Sequence, residues 1–231
     1  SSLEYIISSS FEFCSSLDNL TIPPSVKFIY ANAFHECKSL SILNLPISTP
    51  LKDIELDTFN GCSALKELTI PSSVTCIKQN AFYGCSSLVK VFIAPSLQLI
   101  KQKAFHMCTS LKEVSFIDEN ATNKIVPNHS LRSAIENNAF LGCLSLTNFQ
   151  IPLVIKRIDN GALRELSSLT EIVIPSLVTE IGCRSFYNCK SLKKVTILSS
   201  PINIKKSAFN GCSSLSEFTF NDNCLILAIE E

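Results

Sequence analysis

The chain has 231 residues, 46% apolar and 17% charged, with 20 basic and 20 acidic side chains. Zero net charge removes the attraction on which binding to nucleic acid or anionic membrane runs, and no apolar stretch approaches the roughly 20 residues of a membrane span. The N-terminal SSLEYIISSSF has neither a basic flank nor a long apolar run and does not read as a signal peptide.

That opening reads instead as the back half of a repeat. Ser1-Ser2-Leu3-x-x-Ile6 aligns with Ser72-Ser73-Val74-x-x-Ile77. A Phe, once replaced by Leu, then recurs at Phe11, Phe34, Phe59, Phe82, Phe105, Phe140, Leu163, Phe186 and Phe209, at spacings of 23, 25, 23, 23, 35, 23, 23 and 23 residues. An Ile stands five residues before each of these nine positions, a Leu six after, and a Cys three after in all but Leu166. A unit of this length cannot close a core alone; it stacks on copies of itself.

One unit shows the expected elements. Leu65-x-x-Leu68-x-Ile70 is a leucine-rich-repeat core, with Leu68 and Ile70 alternating with Glu67 and Thr69 at the period of a half-buried strand. Pro71 stops the strand, and Val74 and Ile77 supply inward contacts from a return segment. Asn80 reads as a helix N-cap, as do Asn32, Asn138 and Ser207. Phe82, Cys85 and Leu88, three apart, predict a short helix or 3₁₀ turn, with Gly84 where it must bend or end.

Two coils depart from the pattern. The insert IDENATNKIVPNHSLR (117–132) is polar, contains Pro127, and reads as a loop extruded from the body. Residues 162–175, ALRELSSLTEIVIP, lose both Phe and Cys. The far end, NDNCLILAIEE, stops one residue short of the next expected Phe. The expectation is one solenoid over 1–231, a fragment of a longer array, with any signal or anchor outside it.

Residues 58–77, TFNGCSALKELTIPSSVTCI, resemble the BspA-type leucine-rich repeat almost position for position, as do 81–100 and, for the front half, 208–220. The resemblance covers essentially the whole chain. It implies an α/β solenoid: a right-handed arc of about nine 23-residue repeats, parallel strands on one face and short helices or 3₁₀ turns on the other. It also implies protein binding without catalysis or cofactor. Family members are often surface proteins of bacteria and parasitic protists, and some bind host extracellular-matrix proteins or cells. Other protist members lack any membrane signal. The partner is therefore expected to be another protein, met by a monomer that is secreted or at the cell surface. A cytoplasmic scaffold is the alternative.

The 11 Cys suggest chemistry, but eight share one phase. Side chains stacked in parallel do not offer the converging Cβ atoms of a disulfide, and no CxxC pair supports zinc. A ladder of buried thiols is favoured, with one or two disulfides as the alternative; Cys76 is the candidate exposed thiol. His35 and His106 share a phase three coils apart, His129 lies in the insert, and no catalytic motif is present. The sequons at Asn19, Asn120 and Asn128 support secretion only faintly. The candidate binding residues are outward strand positions in one patch: Glu67, Thr69, Lys90, Phe92, Glu113 and Ser115. Phe92 among charges has the composition of an interface anchor.

Overall fold

Alternation of inward apolar with outward polar residues makes a half-buried strand, and it does so once per coil in the Leu phase. In the computed structural model, which describes residues 3–117, 133–220 and 226–229, these strands run from Asn19–Thr21 through Glu67–Thr69, Lys90–Ile93 and Glu113–Phe116 to Glu217–Phe220. A second strand, of two or three residues, contains the column Ile in each coil from Tyr5–Ile6 through Cys76–Ile77 to Ile202–Ile204, and Ile226–Ile229 extends this ribbon. Neighbouring coils pair in parallel and in step with the repeat, as in Glu67 to Lys90 to Glu113 and Ile77 to Ile100. The result is a parallel-strand solenoid with two strand ribbons and one column of turns.

The expected short helices are absent: the described residues contain no helix. In every coil the residues two before and two after the Phe position have positive φ. Asn80 (φ 53°) and Gly84 (φ 69°) flank Phe82, and Ser207 (φ 57°) and Gly211 (φ 81°) flank Phe209. A left-handed residue every fourth position interrupts any run of helical dihedrals. Asn32, Asn80, Asn138 and Ser207 are therefore not helix N-caps but left-handed turn residues. Asn suits both roles, because its short amide side chain also tolerates the left-handed region. The geometry frees alternate N–H groups to bond the next coil. Asp57 donates to Gln79 O (3.2 Å), Phe59 to Ala81 O (2.9 Å) and Gly61 to Tyr83 O (2.8 Å). This third ladder satisfies backbone groups that a helix would have consumed internally.

The core is a set of columns. Phe34, Phe59, Phe82, Phe105 and Phe140 stack at 5.1 to 5.5 Å between ring centres, with planes within 11° of parallel. Beside them, column thiols donate to the carbonyl of the Phe-position residue one coil back, at 3.1 to 3.4 Å. All ten described cysteines are free. Leu163 and Leu166 fill the seventh coil's share, both fully buried.

Both unequal spacings leave marks. Two extra residues in the coil of Leu40 sit between Pro46 and Leu51, where buried Thr49 donates to Val26 O at 3.1 Å. Both strand ribbons lose pairing here, between Ile42–Asn44 and Glu67–Thr69 and between Phe28–Ile29 and Asp53–Ile54, while the turn ladder continues through Phe34 N to Thr58 O (2.9 Å). At the insert, Leu153 N donates to Pro95 O (3.1 Å), two coils back, so the flanking Pro turns join directly. Residues 118–132, where a protruding loop is expected, lie outside the described residues.

Candidate protein-binding face

The Leu strands position outward residues in two columns. Register places Glu67, Lys90 and Glu113 side by side, and Thr69, Phe92 and Ser115 beside them. Lys90 Nζ lies 3.5 Å from Glu113 Oε2, both partly exposed. The six predicted residues thus form one contiguous patch on a four-stranded sheet that runs from Glu67–Thr69 to Asn148–Phe149. Phe92 is half-buried rather than protruding, and Ser115 is covered to 9% exposure. The same spacing recurs at Glu171, Lys194 and Glu217, where Lys194 Nζ meets Glu217 Oε2 at 3.1 Å.

The prominent apolar groups of this face are elsewhere. Ile42 and Val173 are 49% and 50% exposed, and each lines a groove where Leu-strand pairing lapses. The first groove, about 780 Å³, runs between Ile42–Asn44 and Glu67–Thr69 and is edged by Pro46 and Ile47. The second, about 360 Å³, lies between Asn148–Phe149 and Glu171–Ile174 and is floored by Phe116 and Phe149. There Gln150 Oε1 accepts the Phe116 N–H at 2.7 Å, a bond that a backbone carbonyl would make in an unbroken ladder. The 25-residue spacing was a legible sign of the first groove; nothing in the spacing marks the second.

Outside the predicted patch, Tyr5, Ile7, Phe28 and Tyr30 are exposed on the outer face of the Ile ribbon, with Tyr5 and Phe28 stacked at 5.7 Å. Reading only the Leu strands passes over them, although they flank the column residues Ile6 and Ile29. In later coils this face is charged: Lys78 bridges Asp53 and Glu55. Burial works against the Lys78 ammonium, but the Glu55 and Asp53 carboxylates more than offset it and raise its pKa.

The histidines are apart. His35 Nδ1 lies 3.0 Å from Glu12 Oε1, and the His106 ring stacks on Tyr83 at 5.1 Å. Burial, then Lys103, lowers the His106 pKa. Burial raises the thiols of Cys37, to about 11, and of Cys62, Cys85 and Cys108, whereas a hydrogen bond with Cys189 lowers that of Cys212. The thiol expected to be exposed, Cys76, is half-buried and pushed up to about 11 by burial and then by Asp53. Among the described residues the exposed thiol is Cys14.

The pattern of the BspA type leucine rich repeat region matches residues 1–112 and 133–229 in six copies. Among solved structures, the chain is similar to a leucine-rich repeat protein from Bacteroides ovatus, at 25% identity and a TM-score of 0.58, over 96% of this chain and 65% of that one. The leucine-rich repeat protein of T. pallidum is similar at 22% identity and a TM-score of 0.57, over 87% and 78% of the two chains. The chain therefore spans slightly under two thirds of the length of the Bacteroides protein. No protein of curated function matches it. Among the described residues no helix is long and apolar enough to cross a membrane.

Proposed function

The chain belongs to the BspA-type leucine-rich repeat family, matched over 1–112 and 133–229, and from that premise we propose that it is a non-catalytic, monomeric protein-binding domain that acts at the cell surface. Its partner is a protein of a host matrix or of another cell. The observation that carries this reading is the register of the central Leu strands, which lines up Glu67, Lys90 and Glu113 beside Thr69, Phe92 and Ser115. Lys90–Ile93 and Glu113–Phe116 are paired on both edges and Glu67–Thr69 on one, which holds these side chains in place, so a partner orders little on binding. Charges around a half-buried aromatic suit an interface whose centre is desolvated and whose rim is polar.

The free cysteines favour a second reading, an intracellular scaffold, because thiols persist in reducing compartments. One experiment separates the two. Full-length protein on intact cells is tested for access to added protease, and residues 1–231 are titrated onto immobilised extracellular-matrix proteins. Protease access with saturable binding supports the surface reading. Full protection with no binding overturns it in favour of the scaffold.

A further inference from the structure

Four of the six glycines occupy one phase of the repeat, two residues after the Phe position; Gly161 and Gly182 do not. At their phases every other coil carries a side chain; Gly161 borders a hollow on the turn column, and Gly182 directly precedes Cys183, which lines it. Gly161 has φ +63°, and a Cβ there would lie 2.8 Å from Asn138 Oδ1 and 3.1 Å from Arg164 Cδ. A Cβ on Gly182 would lie 2.8 Å from Asn160 Oδ1, which accepts the Cys183 N–H at 2.8 Å. The missing side chain of Gly161 leaves open a hollow of about 410 Å³, lined by Arg164, Arg184 and Lys206 with Asn138, Asn160 and Ser207.

The charge here is not a property of the repeat. The phase of Arg164 carries Glu12 in the first coil, and the phase of Arg184 carries Asp57 in the third. Arg184 also adopts φ 53°, a conformation in which Asn or Gly is less strained. That φ belongs to the phase, since every coil has it there and Arg184 N donates to Lys206 O at 3.2 Å in the turn ladder, so it is the charge and not the backbone that is particular to this coil. The Arg184 guanidinium rests 5.9 Å from the centre of the Tyr187 ring, and among the described residues neither it nor Lys206 makes an ion pair. Arg164 bonds Glu165 through one side of its fork (2.6 Å). Asp159, in the neighbouring hollow, is taken up by Arg157.

We propose that this hollow binds a tetrahedral oxyanion, a sulfate or phosphate group. The Arg184 guanidinium and the Lys206 ammonium supply charge, Arg164, paired with Glu165, adds the free side of its fork, guanidinium forks match paired anion oxygens, and the amides and hydroxyl of Asn138, Asn160 and Ser207 supply neutral donors. The opening exceeds what a lone anion fills, so the group arrives on a larger molecule, a sulfated glycan or a phosphorylated one. The site lies on the turn column, not on the Leu-strand face, and stands or falls independently of the protein-binding reading.

The test is calorimetric titration of residues 1–231, at constant ionic strength, with sodium sulfate, sodium phosphate and a heparin-derived oligosaccharide. Saturable binding is expected for at least one, weakened about tenfold or more in the Arg184→Asn/Lys206→Gln variant with its thermal midpoint retained. Asn is chosen because it accepts the left-handed backbone. A Lys190→Gln/Lys193→Gln variant, of equal net charge but altered outside the hollow, keeps wild-type affinity. Oligosaccharide binding tighter than free sulfate identifies a sulfated glycan; phosphate binding without it identifies a phosphorylated ligand. No saturable binding by any of the three, or equal loss in the Lys190/Lys193 control, overturns the site.

Discussion

The thiol of Cys85 donates to the carbonyl of Phe59, one coil back, at 3.4 Å. The bond explains why the column takes Cys: a small, apolar-tolerant side chain with one weak donor suits a dry site that holds one spare acceptor. It also turns the sulfur toward a backbone oxygen of the preceding coil.

Thiol reactivity follows. In a native titration Cys14 reacts first, and the column thiols from Cys37 to Cys189 react only on unfolding, with no reductant needed, because they are free and buried away from the reagent. Four or more disulfides by mass spectrometry would contradict the ladder.

The raised pKa values set a pH dependence. Above a thiol's ordinary value of about 9 the unfolded chain releases protons that the folded chain keeps, so stability falls as pH rises; below it the contribution is constant. For Cys37 and Cys76 the window is pH 9 to about 11. Urea midpoints measured from pH 8 to 10.5 should decline, and less steeply in Cys37→Ala. Equal slopes in both proteins would remove the thiols as the cause.

Phe82 is fully buried between Phe59 and Phe105. Phe82→Ala should cost about 3–5 kcal/mol, with hydrogen-exchange protection lost first in the adjacent coils. A melting temperature close to wild type would show that the stack carries little.

Leu163 and Leu166 replace Phe and Cys together, one smaller and one larger. Leu163→Phe alone therefore overpacks the coil and costs about 1–3 kcal/mol. Adding Leu166→Cys restores the volume and the thiol donor. The double variant should be more stable than the single one, and additive effects in the mutant cycle would refute the compensation.

Two glycines of one phase differ in surroundings. A Cβ on Gly84 meets nothing within 4 Å, whereas on Gly142 it meets Met107 N and Cα at 3.3 Å. Gly84→Ala should cost only its positive φ, about 1–2 kcal/mol. Gly142→Ala should cost more, because backbone atoms must move. Equal melting temperatures would refute the coil-to-coil contact.

On the proposed face, Phe92→Ala should lower affinity for a bound protein about tenfold or more, close to 1.4 kcal/mol, beyond any loss of folded protein. Unchanged affinity would move the interface to the grooves at Ile42 and Val173.

The repeat, its inward columns and the Glu67-to-Ser115 patch were legible in the sequence, because a stack of equal coils maps phase directly onto position. Once Leu68 points inward, Glu67 and Lys90 must be neighbours. What phase leaves open was decided in three dimensions. Asn80 serves a helix cap or a left-handed turn equally well, and the choice fell to hydrogen bonds between coils more than 20 residues apart. Cys14 and Cys37 share one phase yet differ in exposure, because Cys37 packs against the coil of Phe11. Ribbon pairing also lapses at Asn148–Phe149, where the spacing is regular, and there Gln150 bonds Phe116 through its side chain. Arg164, Arg184 and Lys206 hold different phases in three successive coils. Only the turn geometry and the missing side chain of Gly161 bring them to one hollow.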